Sequence, residues 1–188
     1  MRVIVYQASD TSALSKNFTR KAIKVTSGYR CITHNASKTV GGSPNSKHRY
    51  GMAADWRMVN RSINPVALGI IAAQYFKAVG IYWYDGCAIV HTDTRDAKAT
   101  WLCDAPRHYP STTYQKFILP TIRRGCTGDA NRAATKMLQR LLGLTPDGIF
   151  GEGTENALLK AQEAHGLAVD GICGPASWRA ISGANKYL

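Results

Sequence analysis

An octapeptide occurs twice near the C-terminus, and it constrains the fold more than any other feature of the chain. L-T-P-D-G-I-F-G at 144–151 returns as L-A-V-D-G-I-C-G at 167–174, a shift of 23 residues. Asp147-Gly148 and Asp170-Gly171 read as tight turns with a positive φ at glycine. Around them the apolar residues fall at helical spacing. Ala134, Met137, Leu138, Leu141 and Leu142 form one stripe, with Gly143 as its stop. Thr154 is placed to cap a second helix through Ala157, Leu158 and Ala161 to Gly166. Pro175 opens a third that carries Trp178 and Ile181. Three short helices about two matching turns make a mini-domain of about 60 residues, small but able to close a core. With one histidine, His165, and no cluster of reactive groups, it reads as a binder.

The rest of the 188 residues leaves room for one larger domain. The break between them is expected at 105–121, where prolines and a Ser-Thr-Thr cluster interrupt the pattern. This gives domains at 1–104 and 122–188. The larger part reads as α+β. Strands are expected at Ile23–Ser27, Met52–Val59 and Ala88–Thr92, with a helix opening at Asn64-Pro65 and ending at Gly80. No apolar run approaches the about 18 residues of a membrane span, and the N-terminus lacks an apolar core long enough for a secretory leader. Five cysteines without a C-x-x-C pair argue against a zinc knuckle and a complete disulfide framework, a Cys87–Cys103 bridge staying open.

Charge is concentrated in the larger part: 16 basic against six acidic residues in 1–120, eight against six in 121–188. A polyanionic partner is expected, whether nucleic acid, anionic membrane or anionic cell wall. Residues 1–120 contain no glutamate, so carboxylate chemistry there falls to Asp10, Asp55, Asp85, Asp93, Asp96 or Asp104.

Two stretches carry the chemistry, S-K-H-R-Y-G-M-A-A-D at 46–55 and V-H-T-D-T-R at 90–95. Gly51 permits a sharp turn that brings His48 and Asp55 onto one cation, and His91 on a separate strand completes a three-ligand set. Two imidazoles and one carboxylate with a fourth position left for water is the arrangement of catalytic zinc, one ion per chain. Magnesium or calcium would want more oxygen atoms.

The repeat and the helix before it, over 122–182, resemble the peptidoglycan-binding domain family of three-helix modules. Residues 14–101 resemble the zinc D-alanyl-D-alanine peptidase family, whose fold is shared with the hedgehog signalling domain. The matching stretches are L-S-K-N-F-T (14–19), V-T-S-G-Y-R (25–30), H-N (34–35), V-G-G-S-P-N-S-K-H-R-Y-G-M-A-A-D (40–55) and I-V-H-T-D-T-R (89–95). The resemblance implies His48, Asp55 and His91 as zinc ligands, Arg30 as the arginine that holds a substrate carboxylate or the developing oxyanion, and Ser46 as a residue lining the site. It also implies hydrolysis of amide bonds in peptidoglycan stem peptides.

Two departures stand out. Phe18 and Lys24 are six residues apart where the family carries a helix, which is therefore expected to be absent. Gly86–Val90 holds no acid or histidine, leaving Asp85 or Asp93 as base, with Asp93 alternatively orienting a ligand. His34 and His108 are weaker candidates. The expectation is a zinc metallopeptidase of carboxypeptidase or endopeptidase type with peptidoglycan as partner, endolysin-like and released in bacteriophage lysis. The alternative is a non-catalytic zinc-containing wall-binding protein. A nucleic-acid partner rests on charge alone and is not expected.

Overall fold

The computed structural model describes residues 23–38, 40, 42–59, 61–112 and 117–188. The 14–19 stretch and the expected loss of a helix after Phe18 fall outside the described residues. Five strands, β1 (Ile23–Ser27), β2 (Ala53–Met58), β3 (Ala78–Tyr84), β4 (Cys87–Asp93) and β5 (Ala99–Cys103), form one sheet in the order β1-β2-β4-β3-β5. Neighbours are antiparallel except β3 and β5, which run parallel. Among the described residues five α-helices accompany them: α1 (Ile32–Ala36), α2 (Pro65–Ala72), α3 (Asp129–Leu141), α4 (Glu152–Ala164) and α5 (Pro175–Ser182). The α+β class read from the sequence is the observed one.

Helix α2 starts where Asn64-Pro65 places it, the Asn64 side chain accepting from the Ala67 N–H at 2.9 Å. It stops at Ala72, not Gly80. Residues 78–84, A-V-G-I-Y-W-Y, are rich in β-branched and aromatic side chains, and pairing on both sides makes them the strand β3. Neither β3 nor β5 was expected. All eight residues of α2 are buried, because the helix lies between the sheet and the C-terminal helices.

The sheet contributes Trp56, Met58, Val79, Ile81, Val90 and Leu102 to the core beneath α2. That core does not end at the expected linker. Ile118, Leu119 and Ile122 are buried in it, and it continues into Met137, Leu138, Leu158 and Trp178. Trp178 Nε1 donates to the Pro120 carbonyl at 2.7 Å. Lys136 and Arg140, one turn apart on α3, reach Asp104 at 2.8 Å and Asp85 at 3.5 Å. Asn64 Nδ2 donates to the Ser182 carbonyl at 2.8 Å.

The repeat is a repeat of polar wiring. Gln139 and Gln162, both buried and 23 residues apart, each accept from a turn glycine, Gly148 N–H at 2.9 Å and Gly171 N–H at 3.0 Å. Their amide nitrogens donate to Asp147 at 2.7 Å and Asp170 at 2.9 Å. Gly148 and Gly171 hold φ of +82° and +69°. Thr154 is not the cap of α4. Gly151 holds that position, and the Thr154 hydroxyl instead accepts from Gln139 at 3.0 Å, as Ser177 does from Gln162 at 3.2 Å. The five cysteines are free thiols. Cys87 and Cys103 sit on strands either side of β3, opposite Tyr84 and Tyr82, so two strand spacings, together about 9.5 Å, and a two-residue offset along the strand separate them, beyond the reach of a disulfide.

Candidate metal centre

Asp55 on β2 and His91 on β4 are direct cross-strand partners, so both side chains rise from one face of the sheet. His48 comes from a 3₁₀ turn, Lys47–Tyr50, that Gly51 closes at φ +68°. The left-handed glycine sends the chain straight into β2 and folds the imidazole back over its neighbours. His48 Nε2, Asp55 Oδ1 and His91 Nδ1 form a triangle with edges of 3.2, 3.1 and 2.9 Å. Ligand atoms at about 2.0–2.1 Å from a tetrahedral zinc would be about 3.3 Å apart, so the triangle is close to the size that ion requires. All three residues are buried.

The outer nitrogens fix both imidazoles. His48 Nδ1 donates to the Gly28 carbonyl at 2.6 Å, and His91 Nε2 donates to Asp93 Oδ2 at 3.1 Å. Neutral rings so arranged turn three lone-pair atoms towards one point, an arrangement that demands a cation or a proton. The surroundings of His91 make the same demand. Burial pushes its pKa down, but the bonds and charges of Asp55 and Asp93 outweigh burial and raise it. Burial likewise pushes the Asp55 carboxyl up, and the hydrogen bonds and charges of His48 and His91 hold it well below the usual carboxylate range.

Arg30 lies at the edge of this group. Its Nη2 pairs with Asp55 Oδ2, its Nε donates to Ser27 Oγ at 2.7 Å, and its own N–H donates to the His48 carbonyl at 3.0 Å. The guanidinium therefore braces Asp55. Asp93 is saturated: Oδ2 meets His91 and Arg95 Nη2, while Oδ1 accepts from the Arg95 N–H at 3.1 Å and Nε at 2.8 Å. Burial raises its pKa, and the His91 and Arg95 bonds outweigh that and lower it. Its Oδ2 meets the outer nitrogen of His91, and both of its oxygens are engaged.

The structure does not bring Asp85 to the group. It occupies the β3–β4 turn, fully exposed and facing Arg140, with the strand from Cys87 to His91, about 13 Å, between it and the histidine. Ser46 is half-buried and caps the 3₁₀ turn, its carbonyl accepting from the Arg49 N–H at 3.1 Å. His34 is exposed on α1. His108 binds Asp104 at 2.5 Å.

Sequence reasoning missed the aromatic side of the site. Ser27, Asp55, His91, Gly80 and Trp101 form one row across all five strands. Trp101 packs its ring 5.0 Å from that of His91 and donates to the Tyr82 hydroxyl at 3.0 Å. The alternation Gly80-x-Tyr82-x-Tyr84 was the available signal, and it was hidden because the helix was read through to Gly80 and no strand was expected after it.

Residues 4–93 match the Peptidase M15 family. A second match, to the family described as "Putative peptidoglycan binding domain", covers residues 127–181, so the two follow one another along the chain. Every member of the His48, Asp55, His91 and Asp93 constellation lies within the M15 match. M15 peptidases are metallopeptidases, and His48, Asp55 and His91 form a group able to hold a metal ion. No curated protein matches the chain. No helix among the described residues is long and apolar enough to cross a membrane.

Proposed function

We propose that this protein is a zinc-dependent peptidoglycan hydrolase that cleaves an amide bond in cell-wall stem peptides, acting at the bacterial wall in an endolysin-like role. The observation that carries the reading is the closed triangle of His48 Nε2, Asp55 Oδ1 and His91 Nδ1, both rings held by outer acceptors, in a chain that also has a peptidoglycan-binding match. His48, Asp55 and His91 would hold one zinc ion, which when bound polarises a carbonyl and brings water to a pKa of about 7.

The chain's own residues do the rest. Gly28 and Asp93 keep a proton on His48 Nδ1 and His91 Nε2, so the opposite nitrogens stay free to bind metal. Arg95 holds Asp93 by both oxygens, and Arg30 orients Asp55. Arg30 keeps further N–H groups for a substrate carboxylate or the developing oxyanion, as the sequence resemblance implies. The 16 basic residues of the first 120 suit a wall bearing anionic polymers.

The test is digestion of purified peptidoglycan by the zinc-loaded protein, with mass spectrometry of the soluble products. Peptide fragments with new amine and carboxyl ends, absent after chelation, are expected, and their masses name the bond cut. Wall binding with zinc in place and no fragments released would replace the enzyme with a zinc-containing wall-binding protein.

A further inference from the structure

His91, Gly80 and Trp101 stand opposite one another on β4, β3 and β5. A Cβ on Gly80 would lie 2.4 Å from Trp101 Cε2 and Nε1, so only glycine leaves room for the indole to lie back across β3 towards His91. The indole N–H then ends over β3, beside the next side chain on that face, and donates to Tyr82 Oη. On its other side the Tyr82 ring meets Tyr109 edge-on at 5.9 Å. Two fixed contacts thus hold one phenol against the indole whose ring lies 5.0 Å from that of His91.

With the indole N–H supplying the oxygen, the phenol's own proton has no protein acceptor among the described residues. Arg30 is the charged donor at the group, with Nε on Ser27 and Nη2 on Asp55, and the carboxylates of the chain are committed or distant. Asp93 has both oxygens engaged, Asp85 lies at the far turn, and residues 1–120 contain no glutamate.

We propose that Tyr82 is a catalytic residue whose hydroxyl donates a hydrogen bond to the carbonyl oxygen of the scissile amide as charge develops there, with Trp101 the residue that positions it. This rests on the peptidase reading above. No proton changes hands: it stays on Tyr82 Oη, and the bond strengthens as the oxygen becomes negative. A neutral phenol is what this role needs, and burial together with the Asp55 charge pushes the Tyr82 phenol above the usual tyrosine range.

The experiment compares the zinc-loaded full chain with Tyr82→Phe and Trp101→Phe. Turnover is measured on a synthetic stem pentapeptide, and binding of a phosphinate analogue of its terminal dipeptide by calorimetry. Tyr82→Phe keeps the ring against Tyr109 but takes away the acceptor of the Trp101 N–H, so zinc content holds and Tm falls by only about 2–4 °C, while kcat falls about 10²–10³-fold with KM little changed, the usual cost of one oxyanion donor. Trp101→Phe loses the N–H but keeps an aromatic ring beside His91, and lowers kcat by less. Phosphinate affinity falls in the same order. Parent-level kcat in zinc-bound Tyr82→Phe, or a change confined to KM, overturns the role of Tyr82 and leaves the peptidase reading standing. A parent that neither cleaves the peptide nor binds the phosphinate overturns the peptidase reading, and the role of Tyr82 with it.

Discussion

Gly80→Ala tests whether the aromatic side of the site is built as the geometry states. The added methyl would meet Trp101 Cε2 and Nε1 at 2.4 Å and Cζ2 at 2.7 Å, and β3 is paired on both sides and cannot retreat. The indole must therefore swing off His91 and give up its bond to Tyr82. Overpacking of this kind costs about 1–3 kcal/mol, and a lost hydrogen bond about 1 kcal/mol. Replacing glycine in a strand offsets about 0.5–1 kcal/mol of that. A net loss of about 2 kcal/mol lowers Tm by about 4–8 °C in a chain of this size. The assay is a double-mutant cycle by thermal denaturation, Gly80→Ala with and without Trp101→Ala. Without the indole the three atoms nearest the methyl are gone, so Gly80→Ala should be neutral or mildly stabilising in that background. An equal loss in both backgrounds, or none in either, would refute the argument that glycine is there for tryptophan.

Arg30→Lys keeps a positive charge but loses the fork that joins Ser27 to Asp55, and should weaken zinc binding about 10–100-fold by chelator competition. Gln139→Leu and Gln162→Leu each strand a buried turn N–H and the aspartate amide contact, costing about 1–3 kcal/mol in urea denaturation. The two losses should be alike, because the wiring is. Burial pushes the Asp104 carboxyl up, but Lys136 and His108 outweigh burial and lower it. Its contribution is therefore present above the ordinary value of 3.8 and is lost as pH falls through the lower folded value. Asp104→Asn should flatten the acid limb of stability below about pH 4 in urea midpoints taken from pH 6 to pH 2.

What the sequence disclosed was local. The 23-residue repeat is legible because a D-G turn needs its glycine and a helical stripe needs its period. The pair His48 and Asp55 is legible because one sharp turn brings them together. What it hid depends on residues far apart in the chain. The parallel pairing of β3 with β5 leaves no local mark, so residues 74–80 read as helix and Trp101 had no neighbour. Asp93 and Asp85 were indistinguishable by composition, and only the strand register separates the one at the metal-holding group from the one in the turn. Gln139 and Gln162 were silent because a glutamine in an amphipathic helix ordinarily faces water. The burial of residues inside the expected linker was hidden for a related reason. Its prolines mark irregular backbone, yet Ile118 and Leu119 within it are core residues, and irregular backbone packs as well as regular when its polar groups find partners, as Pro120 does with Trp178.

Metal content tests the central claim most directly. Protein purified without added metal, analysed by mass spectrometry for bound elements, should carry one zinc per chain, and the His48→Ala/His91→Ala double variant should carry none while remaining folded. Zinc at the same stoichiometry in the double variant, or none in the parent after incubation with excess zinc, would contradict it.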